Sequence, residues 1–355
     1  MAVKLNAQVL PHETIKHPKF DETLKSIREA LQPPASPLII VYGPPKVGKT
    51  RLKDDLAKEL RSGVNPYISI PVVDVDLPFS GKKGGDFIDY HQKILAQLRD
   101  PFLSVDMPKC QQLDLFERTT PWVKKLDGRD LRELRKQSIR LLQAECCKAV
   151  LIDTRKPMGD VLGFAEFAEQ VRFIQDLAFD SKVPHILFTN YDILRSEQLF
   201  AELQENSTLI HFSRYPIYNY AGFSEVVHNL LGAIAEQCDF DLAGAETQQF
   251  FYLYTLGRVG QLVQLVQGAL KQAAQQGSTV LTMSNFEANA GYPAVLNKVR
   301  AYIEEGEERA NCDDEAWKEA FSWVGNHIAT KKEPPKPGNK GRRGSKKKPH
   351  DFKVA

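Results

Sequence analysis

The chain has 355 residues, of which 42% are hydrophobic and 26% charged, the composition of an ordinary globular protein. A chain of this length can bury a full-sized core, so we expect one large domain with a smaller one. No apolar run reaches the roughly 18 residues of a membrane span, and the first residues lack the apolar core of a secretory signal. Together these features exclude a membrane protein and favour a cytoplasmic one.

The five cysteines support that location, because they are odd in number and show no C-x-x-C spacing. We interpret them as reduced thiols rather than as disulfides or a zinc site. They are Cys110, Cys146, Cys147, Cys238 and Cys312.

The net charge of +2 is unevenly distributed along the chain. Residues 331–355 carry a charge of +8, so the rest of the chain carries −6. This basic tail has no apolar periodicity, and we expect it to be disordered and to act separately, on a partner of opposite charge. The alternative is a tail that only keeps the protein soluble.

The first half of the chain alternates strands with helices. A helix over Phe20–Leu31 is followed by a proline cluster, which separates an N-terminal segment, 1–35, from the domain over 36–220. Short apolar runs then alternate with amphipathic stretches, the pattern of an open, mostly parallel α/β sheet. The predicted strands are Leu38–Tyr42, Tyr67–Val75, Ala149–Asp153, His185–Thr189 and Thr208–Phe212, and the helices include Asp130–Cys147, Gly163–Asp180 and Ile193–Leu203.

After Tyr220 the pattern becomes wholly helical. Glycines separate four amphipathic stretches, which predict a small all-helical lid over 221–291. Two C-terminal helices over 292–330 and the basic tail 331–355 follow. The predicted helices are Phe223–Gln237, Ala245–Leu256, Val259–Gln275, Ser284–Ala290, Pro293–Arg309 and Asp313–Thr330.

One motif carries most of the chemistry. The pattern G-x-x-x-x-G-K-[ST] follows the apolar strand LIIVY and precedes a leucine-rich helix. Its glycines let backbone N–H groups surround phosphates, its lysine reaches the β- and γ-phosphates, and its hydroxyl binds Mg²⁺. The motif predicts an ATP site formed by Gly43, Pro44, Pro45, Lys46, Val47, Gly48, Lys49, Thr50 and Arg51.

Asp153 ends the strand AVLID and is predicted to hold magnesium together with Thr50. Many P-loop ATPases place Glu after this Asp, but here the next residue is Thr154, which cannot act as a general base. Either hydrolysis is slow, or another carboxylate takes the role. Asp76 is the catalytic candidate, with Asp74 beside it; alternatively, both carboxylates only end a strand.

Two further polar residues follow predicted strands. Asn190 could contact the γ-phosphate or the attacking water, or it could only form a turn. Arg214 is the leading candidate for an arginine finger, with Arg195 second, although an arginine at such a place is often an ordinary surface residue.

Two basic stretches lie between the second and third predicted strands. Their cations can contact the phosphates of nucleic acid, or they can simply form a solvated surface. The candidate DNA-binding residues are Lys82, Lys83, Arg118, Lys124 and Lys125.

Over roughly residues 15–290 the chain resembles AAA+ ATPases and, among them, the TniB/TnsC family of transposition ATPases, which are related to MuB. Four segments carry the resemblance. These are the run from His17 through the phosphate loop, the block Phe87–Leu95, the helix and strand over Leu131–Asp153, and the lid segment from Thr255 to Gly277. The chain departs from the family at Thr154 and at Gly260, where many relatives carry a sensor arginine that Arg258 could replace.

The resemblance implies a bacterial, ATP- and Mg²⁺-dependent protein that binds duplex DNA without sequence preference. Such proteins oligomerise on DNA as rings or helical filaments and link a target-selection factor to the transposase. An alternative from another class is a P-loop regulatory switch that acts through protein–protein contacts without DNA.

Overall fold

A computed structural model describes most of the first 311 residues. The described ranges are 17–64, 70–76, 85–98, 131–154, 164–232, 238–242, 244–278 and 280–311. Met1–Ala310 belongs to one compact unit, and a second unit begins at Asn311. The predicted helix Asp313–Thr330 and the basic tail therefore lie outside the described residues.

Five parallel strands form the sheet at the centre of this unit. They run in the order β2-β3-β4-β1-β5, and each pairs with its neighbours in parallel. Because the strands are parallel, all five carboxyl ends lie at one edge of the sheet. The bounds are β1 Leu38–Tyr42, β2 Val72–Asp76, β3 Ala149–Asp153, β4 His185–Thr189 and β5 Thr208–His211.

Helices cover both faces of the sheet, which explains why β1, β3 and β4 are buried along their whole length. Alternate residues of β1 point into different cores, with Ile40 in one and Ile39 in the other. Helices α1 (Pro18–Ala30) and α2 (Lys49–Arg61) cover one face. The other face is covered by α3 (Gly85–Gln97), α4 (Leu131–Ala144), α5 (Phe164–Ser181) and α6 (Glu197–Asn206).

The lid has a hydrophobic core of its own, which contains Phe223, Phe251 and Phe286. Its first helix begins at Tyr220. Two consecutive left-handed residues, Leu256 and Gly257, separate its second and third helices. The lid helices are α7 Tyr220–Gly232, α8 Ala245–Thr255, α9 Val259–Gln275 and α10 Met283–Glu287.

A last helix, α11 (Pro293–Asn311), returns to the α/β core. Ile303 of this helix is fully buried in the same cluster as β1 and β3 residues. None of the helices in the described part of the chain combines the length and apolar character that a membrane span requires.

Several predicted bounds were wrong. The predicted helix Ile193–Leu203 is a 3-10 helix, Tyr191–Arg195, followed by α6. Ser196 causes the break, because its Oγ accepts a hydrogen bond from Leu199 N at 3.0 Å and so starts a new helix. The first lid helix begins at Tyr220, before the predicted Phe223, and β2 begins at Val72 rather than at the predicted Tyr67 and ends at Asp76.

Candidate nucleotide site

The phosphate loop lies between β1 and α2, at the carboxyl edge of the sheet. Gly43 allows a close backbone approach, because a Cβ atom there would collide with the carbonyl oxygen of Phe212. Gly48 has a φ of 126°, a conformation that side chains disfavour. The two glycines of the motif are therefore required by the shape of the loop.

Lys49 is buried at the centre of this loop. Its Nζ donates to the carbonyl oxygens of Gly43 at 2.9 Å and Pro44 at 2.8 Å, and to Asn190 Oδ1 at 2.9 Å. Burial lowers the pKa of Lys49 to about 7, against the opposing effect of Asp153 and Asp192. A buried ammonium group with only neutral oxygen partners is suited to an anionic ligand such as a polyphosphate.

Thr50 and Asp153 meet beside Lys49, with Thr50 Oγ1 2.9 Å from Asp153 Oδ2. Burial raises the pKa of Asp153, and the hydrogen bond from Thr50 opposes that shift. One hydroxyl and one carboxylate fit Mg²⁺, which takes few protein ligands when phosphates supply the others. No cluster of three or more metal-binding side chains occurs among the described residues.

The side chain of Thr154 is bonded to the neighbouring strand β4. Its Oγ1 and its backbone nitrogen both donate to the carbonyl oxygen of Phe188, at 3.0 and 3.1 Å, and the residue is buried. Thr154 thus completes the pairing of β3 with β4. It is a structural residue in this conformation.

Asp76 lies directly beside Asp153, since the two are register partners at the ends of β2 and β3. Its Oδ1 is 3.4 Å from Lys53 Nζ, and Lys53 also contacts Asp74 Oδ1 at 2.8 Å. Gln97 bonds both the N–H and the carbonyl of Asp74. Asp74 is therefore engaged at the outer edge of the sheet, while Asp76 is the carboxylate next to the predicted magnesium ligand.

Arg214 is largely buried within its own subunit. Its guanidinium donates to both carboxylate oxygens of Glu307, each at 2.9 Å, and to the carbonyl oxygen of Leu256 at 3.2 Å. A finger that reaches a neighbouring subunit would have to leave these partners. Arg195 is more exposed and pairs with Asp192 at 3.5 Å, so the identity of the arginine finger stays a prediction.

The lid contacts the phosphate loop through the start of α9. The backbone nitrogen of Gln261 donates to Lys46 O at 3.0 Å, and Arg258 Nη1 donates to Pro45 O at 3.3 Å. Gly260 has no room for a side chain, because a Cβ atom would lie 2.6 Å from Lys46 O. This close packing explains why a glycine stands where a sensor arginine was expected.

Sequence reasoning missed an aromatic cluster on the other side of the loop. His17 Nδ1 lies 3.0 Å from the Tyr215 hydroxyl, and the His17 ring stacks on Phe212, which borders Gly48. Burial is the main cause that lowers the pKa of His17 to about 4, so this ring is neutral near pH 7. Nothing in the sequence indicated this contact, because the proline cluster before β1 suggested that the N-terminal segment was separate from the site.

The predicted DNA-binding residues cannot be placed. Lys82, Lys83, Arg118, Lys124 and Lys125 all lie outside the described residues. The other predicted site residues, Gly43–Arg51, Asp76, Asp153, Asn190 and Arg214, are described and lie at or next to the carboxyl edge of the sheet.

No family model matches the chain, and no curated protein matches it. Similar solved structures include Cdc6p from Pyrobaculum aerophilum, with 12% identity, a TM-score of 0.48, and 78% of this chain and 68% of that chain covered. Domain III of the Thermotoga maritima replication initiation protein DnaA has 12% identity and a TM-score of 0.44, covering 85% and 99%. Drosophila ORC bound to DNA has 13% identity and a TM-score of 0.49, covering 81% and 65%.

The fold class follows from the architecture of the chain itself. A parallel sheet of order β2-β3-β4-β1-β5, a phosphate loop after β1, an aspartate at the end of β3 and an all-helical lid define the AAA+ class of P-loop ATPases. The predicted parallel α/β sheet with a phosphate loop and a small helical lid is therefore confirmed for the described residues.

Proposed function

We propose that this protein is an ATP-dependent, DNA-binding regulator of DNA transposition. It oligomerises on target DNA and links a target-selection factor to the transposase. The observation that carries the nucleotide part is the buried Lys49, placed beside the Thr50–Asp153 pair at 2.9 Å. An ammonium and a hydroxyl at the start of a helix, with a carboxylate beside them at the end of a strand, are the groups that an ATP–Mg²⁺ complex requires.

In this proposal each residue has a separate role. Gly43–Arg51 holds the phosphates, Thr50 and Asp153 hold Mg²⁺, and Asn190 orients the attacking water. Asp76 is the proposed general base, because it is the carboxylate beside Asp153, whereas Thr154 is bonded to Phe188. When bound, Mg²⁺ would neutralise the charge that develops on the phosphates.

The DNA part of the proposal rests on the resemblance to transposition ATPases. Lys82, Lys83, Arg118, Lys124 and Lys125 would contact the phosphates of duplex DNA without reading sequence. AAA+ subunits bind ATP between neighbours, so nucleotide binding and self-assembly would be coupled. Asp153 and Arg214 would then act on one ATP from two subunits, once Arg214 has left Glu307.

Binding to random duplex DNA tests the proposal. We expect mobility shifts with ATP but not with ADP or without nucleotide, and an affinity that falls steeply as salt rises from about 50 to 200 mM. A Lys49→Ala variant serves as the matched control and should not shift DNA in any nucleotide state. Absence of binding at low salt, with ATP bound, would instead favour a regulatory switch that acts through protein contacts.

A further inference from the structure

The sheet has two outer strands, β2 and β5, and their free edges differ. An outer strand carries a row of backbone N–H and carbonyl groups that another segment of chain can pair with. At β2 a side chain closes this edge, because the amide group of Gln97 bonds both the N–H and the carbonyl oxygen of Asp74. In the described part of the chain, no side chain does the same for β5.

The hydrogen bonds at the end of β5 show which of its backbone groups face the free edge. Phe212, directly after the strand, donates its N–H to Tyr42 O of β1 at 2.8 Å. Successive residues of a strand direct their backbone groups to opposite sides, so those of Leu209 and His211 face away from β1. Among the described residues, these backbone groups have no hydrogen-bond partner.

Helix α1 runs beside this edge and leaves a groove between itself and β5. The groove has a volume of about 500 Å³, so the edge is open to another segment of chain. On the side of α1 it is lined by Glu22, Thr23 and Ser26, and the Glu22 carboxylate has no ion-pair or hydrogen-bond partner within the described ranges. On the opposite face of the sheet, Leu209 is only partly buried, against the core that contains Ile40. A segment that fills the groove therefore needs one polar and one apolar side.

Residues 3–9 of this chain, VKLNAQV, have these two sides. Strict alternation of apolar and polar residues is the pattern of a half-buried strand, and Pro11 follows it as a strand breaker. The segment carries a single charge, that of Lys4, which is opposite to the charge of Glu22. The apolar positions are Val3, Leu5, Ala7 and Val9, and the polar positions are Lys4, Asn6 and Gln8.

The start of α1 places this segment close to the groove. His17 Nδ1 lies 3.0 Å from the Tyr215 hydroxyl, and Lys19 Nζ donates to Ser213 Oγ at 2.6 Å. The chain therefore enters α1 at the carboxyl end of β5. Residues 10–16 can span roughly 23 Å when extended, whereas the four residues of β5 cover about 13 Å. The segment can thus reach the whole edge of β5 in its own subunit.

We propose that residues 3–9 add to the free edge of β5 as a sixth strand of the sheet. Lys4 lies beside Glu22, and the apolar side chains cover Leu209. The added strand pairs the backbone groups of Leu209 and His211 and closes this edge, as a side chain closes that of β2. The partner of this surface is a segment of the same chain, and its effect is to prevent sheet pairing between copies at β5.

Residue-resolved hydrogen exchange of the full-length protein, without nucleotide or DNA, tests the added strand. We expect the amides of Leu209 and His211 to exchange slowly, and about tenfold faster or more when residues 2–10 are deleted, because the deletion removes their acceptors. The amide of Phe212, which is bonded to β1, is the internal reference. Its exchange should be equally slow in both proteins, which shows that the sheet remains intact.

Leu5→Lys should act like the deletion, because it places a charge on the apolar side of the segment. Asn6→Lys is the matched control, since it places the same charge on the polar side, and it should behave as the wild-type protein. Fast exchange of Leu209 and His211 in the wild-type protein would overturn the proposal. Slow exchange that persists in the deletion variant, or that is lost only when residues 331–355 are removed, would assign the edge to another segment and overturn it too. Slow exchange that is lost on dilution would assign the edge to a second copy, which also contradicts the proposal.

Discussion

A polar group is buried at each end of β4, but only one of the two groups is placed to bind a ligand. At the amino end, His185 is fully buried; its Nδ1 lies 2.8 Å from Val183 O, and its Nε2 has no partner among the described residues. At the carboxyl end, Asn190 accepts a hydrogen bond from the buried Lys49. Burial lowers the pKa at both ends, to about 4 for His185 and about 7 for Lys49.

The two ends of β4 differ in whether nearby groups favour the charged form of the buried side chain. Asp153 and Asp192 already favour the ammonium form of Lys49, and an anionic ligand would favour it further. At the amino end, burial is the main cause that lowers the pKa of His91, and the charges of Arg135 and His185 lower it further. Burial at one end thus prepares a ligand site, while at the other it only makes stability depend on pH.

Replacing Lys49 should have the largest effect at the carboxyl end. We expect Lys49→Ala to weaken ATP binding by roughly 100-fold or more, because it removes charge-assisted bonds to the phosphates. Titration with a fluorescent ATP analogue measures this loss. Lys58→Ala, an exposed lysine of the same helix, is the control, and equal affinity in the two variants would refute the site.

Gly260→Ala tests the lid contact and should have a smaller effect. The added methyl group would meet Lys46 O and push α9 off the phosphate loop, so we expect ATP to bind about tenfold more weakly. Gly232→Ala is the matched control, since a Cβ there meets nothing within 4 Å. Normal ATP affinity in the first variant would show that the lid does not support the loop.

Substitutions of Asp76 and Thr154 test which of these two residues the rate of hydrolysis depends on. Asp76→Asn should reduce the rate by roughly 10²-fold if it is the general base, with ATP affinity nearly unchanged. Thr154→Val should leave the rate within about threefold of wild type and reduce stability by about 1 kcal/mol, through the lost bond to Phe188 O. The rate of steady-state phosphate release measures both effects. A larger loss of rate in Thr154→Val than in Asp76→Asn would exclude this role for Asp76.

The sequence predicted the carboxyl end well because its signals are local. Five apolar runs gave the five strands, and the spacing of one motif placed Lys49 and Thr50 at a helix start, where Asp153 meets them. The partners of Arg214 were beyond reach, since Glu307 lies 93 residues away along the chain. The break before α6 left a readable signal, because a serine before Glu197 is a common helix cap.

The smallest effect is expected at the amino end of β4, where pH should act without nucleotide. Burial lowers the pKa of His91 and His185 to about 4, so between pH 6.5 and 4 the unfolded chain binds more protons and stability falls as pH falls. We expect each histidine to lower the free energy of unfolding by on the order of 1–2 kcal/mol at pH 5.

His185→Asn should flatten the decline in thermal stability from pH 7.5 to 5, because the amide can still donate to Val183 O but does not titrate. The exposed His228→Asn is the control, and equal pH slopes in the two variants would show that acid destabilises the protein elsewhere.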